Sequence, residues 1–180
     1  SQRRMTVDEF LVWAESQEGR WELYNGVPYA MAPERTRHGR IKFAVQMALH
    51  QAIRRAGLPC HMLPDGATVR ISAMTAHEPD ALVYCGTILP GEAIEVPNPV
   101  IVVEVASPSP RKIDASLKLK GYFALPSVHH YLIIDPEGPP VLHHLCQADG
   151  SVRTSIVADG FLRLDPPGID ITISDIFSTG

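Results

Sequence analysis

Residues 100–106 read Val-Ile-Val-Val-Glu-Val-Ala, an apolar run that is interrupted only by Glu104. Such a run is typical of a strand that is covered on both faces inside a sheet. A carboxylate in that position is strongly disfavoured unless something compensates its charge. The segment therefore predicts a central strand whose Glu104 is held by a cationic side chain or by a metal ion.

Three segments have the pattern of helices. Thr6 and Glu9 have the spacing of a capping box, which predicts the start of a first helix. An apolar stripe predicts a long second helix over residues 37–56. The dipeptide Ser109-Pro110 predicts the start of a third helix that runs to about Ala124.

Alternating apolar residues predict the strands. Asn25-Gly26 is a strong tight-turn dipeptide and predicts a hairpin over residues 21–31. Further strands are predicted over residues 60–63, 68–71, 80–85, 100–106 and 130–135, and residues 100–135 fit a strand-helix-strand crossover. Residues 141–146, 151–157 and 161–164 predict an antiparallel C-terminal meander. The fold class is therefore α/β, with a mixed sheet flanked by helices.

Composition limits the domain organisation. The chain has 180 residues, of which 45% are apolar. That suits one globular domain, which we place over residues 5–176 after a disordered start at residues 1–4. No apolar run approaches the length of a membrane span, so no membrane partner is expected. The three cysteines are scattered and odd in number, which predicts no disulfide framework and a reducing, cytoplasmic setting.

The formal net charge of −4 does not by itself indicate a nucleic-acid partner. The basic residues are nevertheless unevenly distributed. One cluster comprises Arg35, Arg37, Arg40, Lys42, Arg54 and Arg55, and a second comprises Arg111, Lys112, Lys118 and Lys120. The clusters favour contact with phosphates, although such clusters are often only a solvated face.

Asp80 opens a predicted strand, whereas Glu104 lies near the end of another. If the two strands are antiparallel neighbours, the start of one lies beside the end of the other and the carboxylates converge. Two convergent carboxylates repel each other unless a cation lies between them. Hard oxygen ligands favour Mg²⁺ or Mn²⁺.

The third helix supplies a candidate partner for this pair. Asp114, Lys118 and Tyr122 are spaced four residues apart and share one helix face. Lys120 is rotated about 200° from Lys118 and points elsewhere. Two carboxylates, a cation and a lysine suit metal-assisted hydrolysis of a phosphodiester, because a lysine orients the attacking water or stabilises the transition-state charge.

The order of these motifs resembles a known family. Pro79-Asp80 followed by Glu104-Val105-Ala106 resembles the PD-(D/E)XK motif of the restriction-endonuclease-like superfamily. Most of the chain, over roughly residues 5–175, resembles the Uma-two endonuclease family, also called domain-of-unknown-function family 820. The further matching segments are Met5-Thr-Val-Asp-Glu-Phe10, Trp21-Glu-Leu-Tyr-Asn-Gly26, His38, Val103-Glu-Val-Ala-Ser-Pro108, Asp114-x-x-x-Lys118-Leu-x-x-Tyr122 and His130-Tyr-Leu-Ile-Ile-Asp135.

The resemblance implies a metal-dependent endonuclease that acts on nucleic acid, with DNA as the expected substrate. It implies Asp80, Glu104 and Val105 as metal ligands, and Asp80, Glu104, Lys118 and Glu22 as catalytic residues. His38, Ser107, Asp114, Tyr122 and Arg37 are implied as residues that support the site or contact substrate. The motif lysine is replaced by Ala106, so the lysine comes from the helix as Lys118. By analogy with nucleases that act on two strands, we expect a homodimer.

Each assignment has a structural alternative. Asp80 and Glu104 also fit a buried ion-pair network with Lys118 and no metal. Lys118 also fits a surface lysine paired with Asp114, and Tyr122 fits a core aromatic. Glu22 and His38 also fit ordinary surface positions. The alternative function is an inactive module that binds nucleic acid or protein, and a third is hydrolysis of another phosphoester, for which no Gly-rich nucleotide loop is present.

Overall fold

The computed structural model describes residues 3–108 and 113–178. The helices are α1 (Val7–Glu15), α2 (Thr36–Ala56), α3 (Ala115–Phe123) and α4 (Ile173–Phe177). The strands are β1 (Trp21–Tyr24), β2 (Val27–Ala30), β3 (Cys60–Pro64), β4 (Val69–Ser72), β5 (Thr75–His77), β6 (Ala81–Cys85), β7 (Pro99–Val105), β8 (His130–Ile134), β9 (Val141–Cys146), β10 (Val152–Val157), β11 (Phe161–Leu164) and β12 (Ile169–Thr172). The predicted α/β class is confirmed.

The main sheet has six strands in the order β10-β9-β8-β7-β6-β3. Strand β7 lies inside this sheet, parallel to β8 and antiparallel to β6. Helix α3 connects the two parallel strands, as the predicted crossover requires. The apolar run that contains Glu104 is therefore an internal strand of a mixed sheet.

The pleat of β7 separates two layers of core. Ile101 and Val103 pack in the cluster that includes α2, whereas Val102 packs in the cluster that includes Tyr122 of α3. Successive side chains of a strand point to opposite faces, so Glu104 shares the face of Val102. The carboxylate of the central strand is thereby directed towards α3.

A second sheet, in the order β2-β1-β5-β4, lies beside the main one. Its first hairpin turns at Asn25 and Gly26, both with positive φ, as the sequence predicts. The predicted capping box also begins α1, because the Thr6 side chain accepts a hydrogen bond from the Glu9 backbone N–H. Strand β5 was not predicted from the sequence, since three residues are too short for an alternation signal.

The C-terminal strands are antiparallel, as predicted, but they divide between two sheets. Strands β9 and β10 extend the main sheet, whereas β11 pairs with β12 in a two-stranded sheet whose buried residues join the α2 core. None of the helices in the described part of the chain is long and apolar enough to span a membrane.

Two expectations differ from the structure. Helix α3 begins at Ala115, because the Asp114 side chain accepts a hydrogen bond from the Ser116 N–H (2.8 Å) and caps the helix there. The predicted start at Ser109-Pro110 lies outside the described residues.

The prediction of no disulfide was wrong. Cys60 and Cys85 are joined, because β3 and β6 are antiparallel neighbours and their register places the two residues directly opposite each other. Only Cys146 is a free thiol. The cysteine argument for a reducing compartment therefore no longer applies, and the cytoplasmic setting stays a prediction without it.

Candidate active site

Strands β6 and β7 bring Asp80 and Glu104 to one end of the main sheet. Ala81 is paired with Val103, and the Asp80 N–H donates to the Val103 carbonyl oxygen at 2.9 Å, so the ladder continues through Asp80. The Asp80 Oδ2 atom accepts a hydrogen bond from the Val105 N–H at 2.6 Å. The antiparallel pairing assumed from the sequence is therefore present, and it fixes the Asp80 carboxylate beside the end of β7.

Lys118 lies between carboxylates from the two sheets. Its Nζ atom is 2.9 Å from Glu22 Oε1 and 3.1 Å from Glu104 Oε1. Glu22 and Lys118 are both buried, so neither occupies the surface position that was the alternative interpretation. Lys120 is exposed, as the helical phase predicts. Lys118 thus links β1 of the small sheet to β7 of the main sheet.

Tyr122 and His77 close the site on the side of the protein core. The Tyr122 hydroxyl donates to Glu104 Oε1 at 2.7 Å, so this residue is a core aromatic that also holds the carboxylate. The His77 ring lies 5.3 Å from the Tyr122 ring, and neither of its nitrogens has a hydrogen-bond partner among the described residues. Burial lowers the pKa of His77 to about 4, against the influence of the Glu22 charge. No periodic pattern singles out this histidine, which was therefore not predicted as a site residue.

The other predicted site residues have varied positions. His38 is buried, and its Nε2 atom lies 2.9 Å from the Val105 carbonyl oxygen. Ser107 and Arg37 line the adjacent cavity, where the exposed Arg37 pairs with Glu137. Asp114 is exposed and serves as the helix cap. The structure therefore brings all of these residues except Asp114 to the site or to its rim.

A second ion-pair network lies on the other side of Asp80 and was missed by the sequence interpretation. Lys42 is buried, donates to Asp65 at 2.8 Å and to Glu34, and lies 3.9 Å from Asp80 Oδ1. Arg20 extends the network from Asp65 to Glu78. The sequence signal was available, because Lys42 follows His38 by four residues and precedes the buried Val45 by three. It belongs to the apolar stripe of α2 rather than to a solvated cluster.

The electrostatics of the site favour an added positive charge. Burial raises the pKa of Glu104 to about 7 against the opposing charge of Lys118, and the charges of Glu22 and Asp80 add to the rise. Burial likewise raises the pKa of Asp80 to about 6, opposed by the Val105 hydrogen bond. Burial alone would lower the pKa of Lys118, but Glu104 and Glu22 raise it above its ordinary value. Lys118 is therefore an ammonium. Ionisation of the Glu104 and Asp80 carboxyl groups is costly without a further cation.

Counting the charges gives the same result. The joined networks contain the carboxylates Glu22, Glu34, Asp65, Glu78, Asp80 and Glu104 and the cations Arg20, Lys42 and Lys118. When all are ionised, the carboxylates of these networks outnumber the cations by three among the residues that the structure describes. A divalent ion with oxygen ligands suits such an excess. The donor set therefore fits a divalent metal.

A cavity of about 490 Å³ opens onto these residues. Its wall includes Glu22, Asp80, Glu104 and Lys118, together with Val105 at the end of β7 and residues 106–108 that follow it. Arg35 and Arg37 lie on its lining and are exposed. The carboxylates and the lysine are thus accessible to a ligand through this cavity.

The fold is thus a mixed α/β sheet that carries paired carboxylates and a lysine at one cavity. Comparison with known structures agrees on the fold. The chain matches a crystal structure described as "a putative nuclease belonging to DUF820" from Anabaena variabilis, with a TM-score of 0.75, 17% identity and coverage of 97% of this chain and 98% of that one.

The chain belongs to the Uma2 family, described as "Putative restriction endonuclease", which matches residues 7–174. The family resemblance predicted from the sequence is therefore confirmed. An uncharacterised protein of Synechocystis sp. is 23% identical over 184 residues, which cover 97% of this chain and 92% of that protein.

Proposed function

We propose that this protein is a divalent-metal-dependent endonuclease that hydrolyses phosphodiester bonds of DNA. The observation that carries the proposal is the pair of buried carboxylates, Asp80 and Glu104, beside the ammonium of Lys118 at the wall of one cavity. The family description and the fold support the same class of reaction.

Asp80, Glu104 and the carbonyl oxygen of Val105 are the proposed ligands of Mg²⁺ or Mn²⁺. When bound, the ion would polarise a phosphoryl oxygen and lower the pKa of a bound water. The Val105 oxygen already accepts a hydrogen bond from His38, but a carbonyl oxygen has a second lone pair. Tyr122 holds Glu104 in place through its hydroxyl.

Lys118 is the proposed replacement for the lysine that the motif lacks at Ala106. Its ammonium orients the attacking water and offsets negative charge that develops on the phosphorus oxygens. Glu22 positions the ammonium, because it accepts from Lys118 Nζ with one oxygen that also accepts from the Glu78 N–H at 2.9 Å. Glu22 therefore acts through Lys118 in this scheme.

The proposal is tested by nicking of supercoiled plasmid DNA with Mg²⁺ or Mn²⁺. Asp80→Asn should reduce the rate by at least about 100-fold, because it removes a ligand charge at nearly constant shape. Asp170→Asn changes an exposed aspartate paired with Arg163 and serves as the matched control. Equal rates for wild type and Asp80→Asn would refute the assignment.

A second candidate function is a binding module without hydrolysis. The observation that favours it is the lysine arrangement: Ala106 occupies the motif position, and Lys118 is already paired with two carboxylates. This function predicts DNA binding that is independent of metal. Calorimetry with Mn²⁺ discriminates the two, because the nuclease proposal requires binding that is lost in Asp80→Asn.

A further inference from the structure

Strand β10 forms one edge of the main sheet, and within the described residues no strand pairs with its outer side. Its register with β9 runs without a bulge, and it contains neither lysine nor proline. Native proteins usually protect a regular edge strand with one of these features, because its unpaired backbone groups otherwise attract another strand. The opposite edge strand, β3, has such protection, since it ends in Pro64. The outer side of β10 is therefore open to pairing.

The hydrogen bonds of β9 identify the unpaired backbone groups of β10. The Gln147 N–H donates to the Ser151 carbonyl oxygen at 2.8 Å, whereas the Cys146 N–H donates in the other direction, to the His129 carbonyl oxygen at 2.9 Å. Backbone groups of successive strand residues point to alternate sides. Odd-numbered residues of β9 therefore bond to β10, and by the register they bond to odd-numbered residues of β10. The groups that point outward are those of Val152, Thr154 and Ile156.

Side chains beside this outer edge are apolar and exposed. Val152 is 39% exposed and Ile156 is 71% exposed, and both point to the same face because they lie four residues apart on the strand. Phe161 is also 71% exposed and lies near the opposite face, since it lines a cavity together with Arg153. A neighbouring strand would thus cover apolar surface on both faces of β10.

The sequence of β10 is complementary to a second copy of itself. In an antiparallel pair centred on Thr154, each Val152 lies opposite Ile156 of the other copy, and such β-branched pairs stabilise a sheet. The outward N–H and carbonyl groups then bond to each other, because directly opposed residues that both point to the partner exchange two hydrogen bonds. Arg153, the only charged residue of β10, lies opposite Ser155, so no like charges face each other.

We infer that two copies of this chain associate through β10, so that their main sheets become one continuous sheet. A second copy is the partner because one two-fold axis, through the paired Thr154 residues, satisfies both open edges at once. This surface is the proposed location of the homodimer that the sequence predicts by analogy. No residue of β10 lines the cavity of the candidate active site, so association is tested separately from cleavage.

Sedimentation equilibrium of the full chain tests the association. Wild type should form a species of twice the chain mass of 19.7 kDa. Ile156→Lys should raise the dissociation constant of the dimer at least about tenfold, because it removes an apolar contact that occurs twice in the interface. Ile88→Lys is the matched control, since Ile88 is 69% exposed in the loop after β6, and it should dimerise like wild type.

Two results of this measurement would overturn the inference. One is a wild type that stays monomeric at every concentration, which would leave the edge for a strand of another protein. The other is an equal change of the dissociation constant in Ile156→Lys and Ile88→Lys. Dimerisation without plasmid nicking would retain the β10 interface and refute the nuclease, whereas nicking by a monomer would do the reverse.

Cross-linking tests the register. In a Cys146→Ser background, which removes the free thiol, Thr154→Cys should be joined into a dimer by a short bis-maleimide. The reason is that Cβ atoms of directly opposed residues lie about 5 Å apart. Gln51→Cys, at an exposed position of α2, is the control in the same background and should remain a monomer under denaturing conditions. Cross-linking of Gln51→Cys to the same extent as Thr154→Cys would contradict the register.

Discussion

At the scale of single residues, Lys118 joins carboxylates that come from different sheets. We expect Lys118→Met to lower plasmid nicking by about 100-fold or more, because the substitution removes the positive charge next to the developing phosphoryl charge. Mn²⁺ binding should persist, since the carboxylates remain. Lys120→Met, two residues along the same helix and exposed, is the control and should cut like wild type. A similar loss in both variants would contradict the assignment.

His77 should make folding sensitive to acid. Burial holds its pKa at about 4, below the unfolded value of about 6.5, so the unfolded chain binds more protons between these values. The stability contributed by neutral His77 is therefore present above pH 6.5 and is lost as the pH falls towards 4. The slope is at most about 1.4 kcal/mol per pH unit.

His77→Phe keeps a ring against Tyr122 but removes the titration. The free energy of unfolding of this variant, relative to wild type, should rise as the pH is lowered from 7 to 5. Urea denaturation at several pH values measures the difference, in which the other titrating groups largely cancel. A difference that does not vary with pH would show that His77 does not control the acid response.

At the scale of elements, the hairpin of β1 and β2 positions Glu22 and depends on Gly26. This residue has φ +78°, and a Cβ atom there would lie 2.6 Å from Arg4 Cβ and Met74 Cε. Gly57, at the end of α2, has φ +64° but no atom within 4 Å of the same position. Comparison of the two glycines therefore distinguishes the free-energy cost of a left-handed backbone from the cost of a steric clash.

We expect Gly57→Ala to lower the free energy of unfolding by about 1–2 kcal/mol, which is the penalty of the left-handed conformation alone. Gly26→Ala should lower it by about 1–3 kcal/mol more, because its methyl group must also displace packed atoms. Urea denaturation of both variants provides the comparison. Equal decreases in the free energy of unfolding would mean that Arg4 and Met74 can move away from the added methyl group without a free-energy cost.

Local patterns predicted most of the elements but not all of their boundaries. The capping box at Thr6 and the turn at Asn25-Gly26 are short-range signals, and both appear where they were predicted. The start of α3 at Ala115 is set by the side-chain cap of Asp114, whereas the Ser109-Pro110 pair from which a start was predicted lies outside the described residues. The Cys60–Cys85 bond depends on the register between β3 and β6, which no local pattern encodes.

The candidate site was predictable to the extent that its residues lie on regular elements. Helical phase selects Lys118, and strand ends place Asp80 and Glu104 together. Burial of Lys42 could not be deduced from its charge, since a lysine in a basic cluster is usually solvated. Its contact with Asp65 joins α2 to the segment after β3 and therefore depends on how α2 packs on the main sheet.

At the scale of the whole molecule, a chain with net charge −4 would approach the proposed DNA substrate through a restricted surface. Arg37 lies at the cavity wall in an exposed pair with Glu137, and an exposed pair exchanges readily for a phosphate. Arg54 lies at the opposite end of α2, a helix of 21 residues and about 30 Å in length.

Arg37→Ala should therefore weaken DNA binding and reduce the slope of log affinity against log salt by about 0.9 for one lost phosphate contact. Arg54→Ala removes the same charge far from the cavity and should leave that slope unchanged. Fluorescence anisotropy over a range of salt concentrations measures both. Identical slopes for the two variants would place the DNA surface elsewhere.

Sedimentation of the same preparations tests the predicted homodimer.

The contact between Lys118 and Glu22 spans 96 residues of chain. During synthesis, β1 and β7 leave the ribosome before α3. Glu22 and Glu104 are therefore present before the ammonium of Lys118. A nascent chain that ends before α3 has the carboxylates without the ammonium and therefore cannot hydrolyse nucleic acid by the proposed route. By the proposed route, chemical competence would thus be acquired at one late step of translation, when Lys118 reaches the carboxylates of the two sheets.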